Sequence, residues 1–242
     1  MKSVCLPGRC DLLSCNEQHE APGMHLLEEC GDFFREFRRH FRTTGAVLPS
    51  SRFLAAALTV PLRQQRPASR ILEVGPGTGS VTRAIARRML PGDRLDAVEI
   101  NGRFVRLLRE RIDTDKAFRE HGQQIEVIHA AAEDLIGDSV YDYIVSGLPL
   151  NNFPVASIRE IFAAYARLLK PGGTLSYYEY ALVRQLKWPL VDRRERRRLF
   201  RVGRVMRGYI RDFQVRREQI FINVPPATVR HLQLKPTVPV GR

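Results

Sequence analysis

Short apolar runs typical of buried strands alternate with helical patterns along most of the chain, and this alternation limits the fold more than any other feature. The runs are RILEV (70–74), RLDAVEI (94–100), IEVIHA (125–130), YDYIVSG (141–147) and TLSYYEYAL (174–182). Apolar strands separated by helices are typical of a parallel sheet covered on both faces. Two later runs, residues 213–224 and 228–234, predict a closing antiparallel hairpin. We therefore expect an α/β fold with a doubly wound, mostly parallel, seven-stranded sheet.

The charge balance narrows the choice of partners. A net charge of +13 over 242 residues favours an anionic partner, namely nucleic acid, an anionic membrane surface or an acidic substrate. No stretch approaches the ~20 apolar residues of a membrane-spanning helix, and no signal peptide is recognisable. The four cysteines precede residue 31 and fit no common zinc spacing, so we expect no metal site. We expect a poorly ordered leader (1–31) and one domain (32–242).

The stretch EVGPGTG, residues 73–79, joins a predicted strand to a predicted helix. Its three glycines let the backbone approach a ligand closely. Glu73 disfavours a pyrophosphate at this turn and favours a cationic ligand. Glu99 ends the next strand, about 20 residues after the last glycine, where an acid accepts hydrogen bonds from ribose hydroxyls. S-adenosylmethionine fits this description, since it has a ribose, a positive centre and no phosphate. A purely structural glycine turn is the alternative.

Over residues 45 to about 235 the chain resembles the class I S-adenosylmethionine-dependent methyltransferases. The resemblance rests on four segments that occur in this order and spacing: ILEVGPGTG, VEIN, YDYIVSGLP and LKPGGTLSYYEY. Three segments, GAVLPSSRFLA, SGLPLNNFP and NVPPATV, are most similar to bacterial phospholipid N-methyltransferases, which methylate amine-bearing lipid head groups. The resemblance implies a Rossmann-like fold and S-adenosylmethionine as the cofactor.

The same resemblance implies a set of cofactor-binding residues. The methionine part of the cofactor would contact the glycine turn. Its ribose would contact Glu99, and its adenine would contact Ile100. Relatives carry an aspartate after the third strand, but this chain has HAAAEDL there, which leaves the contact to backbone groups, Glu133 or Asp134. The predicted cofactor-binding residues are Glu73, Gly75, Gly77, Thr78, Gly79, Glu99, Ile100, Ala132, Glu133 and Ser146.

The turn SGLPLNN, residues 146–152, follows a buried strand and should face the methyl donor, because ligands of such sheets bind beyond the carboxyl ends of the strands. Methyl transfer requires an acceptor lone pair in line with the methyl carbon, at roughly 3 Å. The carbonyls of Gly147 and Leu148 can accept hydrogens of an amine and orient its lone pair, so no strong base is needed. The candidate catalytic residues are Gly147, Leu148, Pro149, Asn152 and Tyr178.

The turn also separates two substrate classes. Adenine-N6 methyltransferases, including the ribosomal RNA adenine dimethylases, carry Asn or Asp first and an aromatic residue after the proline. Here those positions are Ser146 and Leu150, with Phe153 as a weak substitute for the aromatic. We therefore favour the amine of a lipid head group, phosphatidylethanolamine or a relative such as ornithine lipid. An adenine methyltransferase is the first alternative, and a degenerate fold that only binds lipid or RNA is the second.

Aromatic and basic segments bear on the same choice. Tyr178 and Tyr180 share one face of a predicted strand, either as a cage for an ammonium or as ordinary core. Two basic amphipathic segments, a helix at 32–42 and a helical insertion at 184–213, suit an anionic membrane surface, although RNA or a solvated helix face would also explain them. We expect a cytoplasmic protein bound peripherally to the inner face of the cytoplasmic membrane.

Overall fold

The computed structural model describes residues 52–62, 65–180, 193–223 and 226–234. Its seven strands form one sheet in the order β3-β2-β1-β4-β5-β7-β6. The strands are β1 Arg70–Val74, β2 Arg94–Glu99, β3 Ile125–His129, β4 Tyr141–Ser146, β5 Leu169–Tyr180, β6 Gln214–Ile220 and β7 Ala227–Leu232. The first five run parallel, and β7 lies antiparallel between β5 and β6. The predicted doubly wound sheet and its closing hairpin are confirmed.

The helices cover both faces of this sheet. They are α1 Arg52–Leu58, α2 Ser80–Ala86, α3 Gly102–Thr114, α4 Val155–Leu168 and α5 Arg193–Phe213. Helices α1 and α2 pack in an apolar cluster with β1 and β7, whereas α4 and α5 pack in a second cluster with β4 and β5. The leader 1–31, the predicted helix 32–42 and residues 184–192 of the predicted insertion lie outside the described residues.

One predicted boundary is wrong. The run TLSYYEYAL predicts a strand that starts at Thr174, but α4 ends at Leu168 and β5 begins at Leu169. Leu169 pairs with Tyr141, and the register then shifts before Thr174 pairs with Tyr143. The intervening KPGG segment is therefore an irregularity within β5, because the chain enters the sheet before the glycines.

The apolar side of α5 belongs to the protein core. Leu199, Val202 and Met206 are at most 4% exposed, and the Tyr209 ring stacks on Phe162 with 4.1 Å between centroids. These side chains face α4 and the sheet, so this side of the described helix contacts the protein core. The side that faces solvent is rich in arginine.

A buried ion pair fixes the turn that leads into β2. Arg66 donates to both carboxylate oxygens of Asp93, whose side chain is fully buried. Asp93 also accepts from the backbone N–H groups of Ser69 and Leu90, at 2.8 and 2.7 Å. These contacts hold the pKa of Asp93 below its usual range despite burial.

In the part of the chain that the structure describes, every helix is too short or too polar to cross a membrane.

Candidate active site

The turns that follow β1 and β4 lie in direct backbone contact. The Gly147 N–H donates to the Val74 carbonyl at 2.8 Å, and the Gly75 N–H donates to the Val98 carbonyl at 2.9 Å. A Cβ added at Gly147 would lie 2.6 Å from the Gly75 oxygen, which is closer than real Cβ atoms approach backbone. Gly75 itself has φ +72°. The fold thus brings together the glycine turn and the acceptor turn that the sequence singled out separately.

Glu73 is a buried carboxyl group beside the glycine turn. It is 0% exposed, and among the described residues neither of its carboxylate oxygens has a hydrogen-bond partner. The hydroxyl of Thr82 also lacks a partner there. Burial raises the pKa of Glu73 to about 8; Thr82 opposes this shift and the charge of Glu99 adds to it. An orphaned carboxyl group in such a place is stabilised by a positively charged ligand.

Glu99 holds the glycine turn in its conformation. One carboxylate oxygen accepts from the Gly77 N–H at 3.0 Å, and the other accepts from the Asn101 N–H at 2.9 Å. Gly77 has φ +56°, and a Cβ added there would meet nothing within 4 Å. The space beside Gly77 is therefore open, with Glu99 at its edge. The predicted contact of Glu99 with ribose hydroxyls stays a prediction.

The last residues of the glycine turn pack against α3. Gly79 has φ +84° and caps α2, and a Cβ there would lie 2.8 Å from Leu108 Cδ1. The carbonyl of Thr78 accepts a hydrogen bond from the Arg111 guanidinium. Arg111 was not singled out from the sequence, because an arginine on an amphipathic helix gives no sign of a loop partner 33 residues away.

The ends of β2 and β3 carry the predicted adenine side of the site. Ile100 follows β2, and its carbonyl lies 3.0 Å from His129 Nε2. Ala132 is buried, and with Glu133 it starts a short 3-10 helix after β3. Burial raises the pKa of Glu133. All four residues lie at the same edge of the sheet as the glycine turn.

Arg167 fastens this region and was missed by the sequence analysis. Its guanidinium donates to the carbonyls of Gly137 at 2.6 Å, Leu135 at 2.7 Å and Glu133 at 3.5 Å. The loop after β3 is therefore tied to the end of α4. An arginine near a helix end suggests only a favourable interaction with the helix dipole, so no sequence signal pointed to this role.

The side chains of the acceptor turn are mostly part of the core. Ser146 is 0% exposed, and its Oγ accepts from the Tyr165 hydroxyl at 2.9 Å and from the Leu148 N–H at 3.4 Å. Leu150 and Phe153 are at most 2% exposed. The ring of Phe153 is enclosed by core residues, so it is not displayed for stacking on a base as the nucleic-acid alternative requires.

Tyr178 contacts the carbonyl that was predicted to receive the acceptor amine. Its hydroxyl donates to the Gly147 carbonyl at 3.4 Å, and its ring meets Tyr180 edge to face with 5.1 Å between centroids. Burial raises the pKa of Tyr178 well above its ordinary value, so the hydroxyl stays protonated at neutral pH and acts as a donor. Tyr177 points to the opposite face, against Phe162.

Comparison with known proteins identifies this arrangement. Residues 71–173 match a family model described as a methyltransferase domain. The ornithine lipid N-methyltransferase of Singulisphaera acidiphila is 31% identical over 152 residues, which cover 60% of this chain and 74% of that protein. The chain belongs to the class I S-adenosylmethionine-dependent methyltransferases. The ubiquinone/menaquinone biosynthesis C-methyltransferase UbiE of Ectopseudomonas mendocina is 29% identical over 124 residues, which span 51% of this chain and only 46% of that relative.

Solved structures show the same methyltransferase fold. The PH0226 protein of Pyrococcus horikoshii has a TM-score of 0.59 at 18% identity, covering 81% of this chain and 99% of its own. The O-methyltransferase TomG of Streptomyces achromogenes, solved in complex with S-adenosylmethionine, has a TM-score of 0.56 at 19% identity, covering 86% of this chain and 89% of its own. As a member of the S-adenosylmethionine-dependent methyltransferases, the chain has S-adenosylmethionine as its cofactor.

The residues at the glycine turn fit this cofactor. S-adenosylmethionine carries a positive sulfonium and an amino group, and the orphaned carboxyl of Glu73 is a suitable counter-charge. The open space beside Gly77 leaves room for a ligand next to Glu99, a hydrogen-bond acceptor. When bound, the cofactor supplies a methyl group activated by the sulfonium.

No group of three or more His, Cys, Asp or Glu side chains within the described residues is arranged to hold a metal ion. The four cysteines lie outside those residues.

Proposed function

We propose that this methyltransferase works at a membrane surface and transfers methyl groups to the amine of a lipid head group, phosphatidylethanolamine or a relative such as ornithine lipid. The acceptor turn carries the proposal: it offers a carbonyl at Gly147 and buries the side chains that a base-recognising turn would display. The ornithine lipid N-methyltransferase of S. acidiphila, 31% identical, supports the same substrate class.

In this proposal the chain positions and desolvates the amine. The Gly147 and Leu148 carbonyls accept amine hydrogens, which turns the nitrogen lone pair toward the methyl donor. Only the neutral amine attacks, and an apolar surrounding lowers an amine pKa and enlarges the neutral fraction. Tyr178, kept protonated by burial, donates to the Gly147 carbonyl and holds its orientation. Bound at the glycine turn, S-adenosylmethionine would supply the methyl group to the amine nitrogen and leave as the neutral thioether, and the product ammonium would release a proton to water.

An exposed apolar hairpin tip supports the membrane-surface part. Phe221 and Ile222 are 73% and 70% exposed. Ile220 pairs with Ala227, and Ala227 pairs with Tyr180 at the carboxyl end of β5. The tip therefore lies at the same edge of the sheet as the acceptor turn. Exposed apolar side chains beside an active site are typical of lipid contact, and we propose that they bring this edge onto the inner face of the cytoplasmic membrane.

Methyl transfer from radiolabelled S-adenosylmethionine tests the substrate class. The purified protein is given a total bacterial lipid extract in one reaction and total RNA in another, and the lipids are resolved by chromatography. We expect label in amine-lipid spots that advances through successively methylated products. Label in RNA alone would refute the lipid proposal in favour of the nucleic-acid alternative.

Sedimentation with phosphatidylglycerol-containing vesicles tests the surface. We expect the double variant Phe221→Ser/Ile222→Ser to lose most of its vesicle binding, because burial of each lost CH₂ contributes about 0.8 kcal/mol. Val215→Ser is the matched control, since Val215 is 56% exposed on the same hairpin but lies near the opposite edge of the sheet. Equal sedimentation of the tip variant and the control would remove the hairpin tip from the proposal.

A further inference from the structure

A cavity lined by arginines lies between the start of α4 and the first turns of α5. Its volume is about 580 Å³. The lining residues are Pro154, Val155, Arg159, Arg197, Arg198 and Arg201. Four arginine side chains thus line one space, and their positive charge favours an anion there.

Three of the four arginines have no counter-charge among the described side chains. Arg159, Arg197 and Arg201 are exposed, and their guanidinium groups form no hydrogen bond or ion pair with a described residue. Like charges gathered at one place repel each other and are stabilised by an anion. Guanidinium groups also present several N–H donors in a planar fork that matches phosphate and carboxylate oxygens.

The start of α4 adds a second source of positive potential. The first N–H groups of an α-helix have no intrahelical acceptor and carry the positive end of the helix dipole. Pro154 is the N-cap of this 14-residue helix and provides no side-chain hydrogen bond. Because Pro154 and Val155 line the cavity, the helix start and the arginines favour an anion in the same space.

Arg198 connects the cavity to the acceptor turn. Its Nη1 donates to the carbonyls of Asn152 and Phe153, at 3.1 Å each. Asn152 ends the SGLPLNN turn that contains Gly147. An anion in the cavity would therefore be held beside the same loop that presents the acceptor carbonyl.

We propose that this arginine cavity binds the anionic group of the aminolipid substrate, a phosphate or a carboxylate, while the amine of the same head group reaches Gly147. This inference rests on the proposed function and adds a second contact point to it. A zwitterionic head group satisfies both ends at once, whereas a plain amine leaves the arginines without an anion. The cavity thus selects a zwitterionic acceptor, and its loss should raise KM for that acceptor.

The test uses the double variant Arg159→Gln/Arg201→Gln, which leaves Arg198 and its contacts with the turn in place. The matched control is Arg204→Gln/Arg207→Gln, which removes two exposed arginines of α5 that do not line the cavity. The substrates are monomeric dihexanoyl phosphatidylethanolamine and its methyl phosphotriester, which keeps the amine but lacks the negative charge. Monomeric substrates exclude any effect of vesicle binding.

We expect the cavity variant to raise KM for the phosphodiester about 10- to 100-fold, the range of charged hydrogen bonds, with little change in kcat and little change for the phosphotriester. The control variant should match the unmodified protein. Equal losses in both double variants, or on both substrates, would overturn the cavity assignment. If the unmodified protein methylates neither amine, the comparison is repeated with an ornithine lipid and its carboxyl methyl ester, and failure with both lipid classes refutes the proposed function itself.

Binding without turnover gives an independent readout. Calorimetric titration of glycerophosphoethanolamine, the head group without acyl chains, should show binding to the unmodified protein and the control, weakened about 10- to 100-fold in the cavity variant. Titration with inorganic phosphate separates the two sources of the anion. If phosphate binds as tightly as the head group and is lost in the same variant, the cavity is a phosphate site and the lipid assignment is wrong.

Discussion

The buried carboxyl of Glu73 should make cofactor binding depend on pH. Its pKa of about 8 means that the carboxyl is mostly neutral at pH 7 in the cofactor-free protein. A positively charged cofactor favours the carboxylate, so binding must release a proton. The affinity for S-adenosylmethionine should therefore rise with pH toward 8 and level off above it.

The size of the effect follows from the pKa. When the bound form holds the carboxylate with a pKa near the ordinary 4.5, affinity changes about tenfold per pH unit below 8. Between pH 6.5 and 8.5 the ionised fraction at Glu73 rises about 25-fold, and the association constant should rise with it. The Glu73→Gln variant cannot ionise at this position, so its association constant should lack this 25-fold rise with pH.

The free energy of unfolding should also depend on the ionisation of Glu73, but it should fall with pH where the cofactor affinity rises. The folded, cofactor-free protein keeps the proton of Glu73 up to about pH 8, whereas the unfolded chain loses it near 4.5. The unfolded state thus binds fewer protons in this window, and the free energy of unfolding falls as pH rises through it. Glu73→Gln should remove that decline.

Calorimetric titration of S-adenosylmethionine at several pH values is the assay, with Glu110→Gln as an exposed control. The cofactor's own amino group titrates near pH 8, but it does so in all three proteins, so the ratio of association constants isolates Glu73. A ratio of unmodified protein to Glu73→Gln that stays constant from pH 6.5 to 8.5 would refute the reasoning.

Three further changes test the site and the fold. Gly147→Ala places a Cβ 2.6 Å from the Gly75 oxygen, so we expect the two turns to separate and kcat to fall about 100-fold in the methyl-transfer assay. Glu99→Ala removes the acceptor for the Gly77 N–H and should weaken a 1:1 S-adenosylmethionine titration about 10- to 100-fold; unchanged binding would exclude the ribose role. Arg66→Ala leaves buried Asp93 without its counter-charge and should lower the free energy of unfolding by about 3–5 kcal/mol in urea titrations. In the unmodified protein the stability due to Asp93 is present above pH 3.8 and is lost as pH falls through its lowered pKa.

Most of the sheet was predictable because its strands carry strong local signals. RILEV, for example, is a mostly apolar run bounded by a glycine turn, and β1 spans those five residues. The end of α4 was not predictable in the same way. Lys170–Gly173 has turn composition, yet the pairing of Leu169 with Tyr141 places it inside β5. That pairing joins residues 28 apart in sequence, and no local pattern encodes it.

The site was predictable where residue type alone fixes the geometry. The close backbone contact between the two turns requires glycine at positions 75 and 147. The order of the motifs along the chain indicated that these two turns meet. Phe153 shows the limit of this reasoning. From the sequence, an aromatic residue near the acceptor turn suits either base stacking or the protein core. Only the packing around Phe153 shows that its ring is enclosed.

The basic segment at 184–213 shows why net charge alone could not assign a surface. Its arginines occupy different environments. Arg198 donates to the acceptor turn, and Arg197 and Arg201 line the cavity. Arg204 lies over the Phe200 ring. Most of its apolar residues complete the core against α4, whereas Phe200 is 48% exposed. The exposed tip that we propose to contact the membrane consists of Phe221 and Ile222, and a two-residue pattern is too short to stand out in sequence. Amphipathicity predicts that a helix has a buried face, and the partner of that face depends on which element the fold places opposite it.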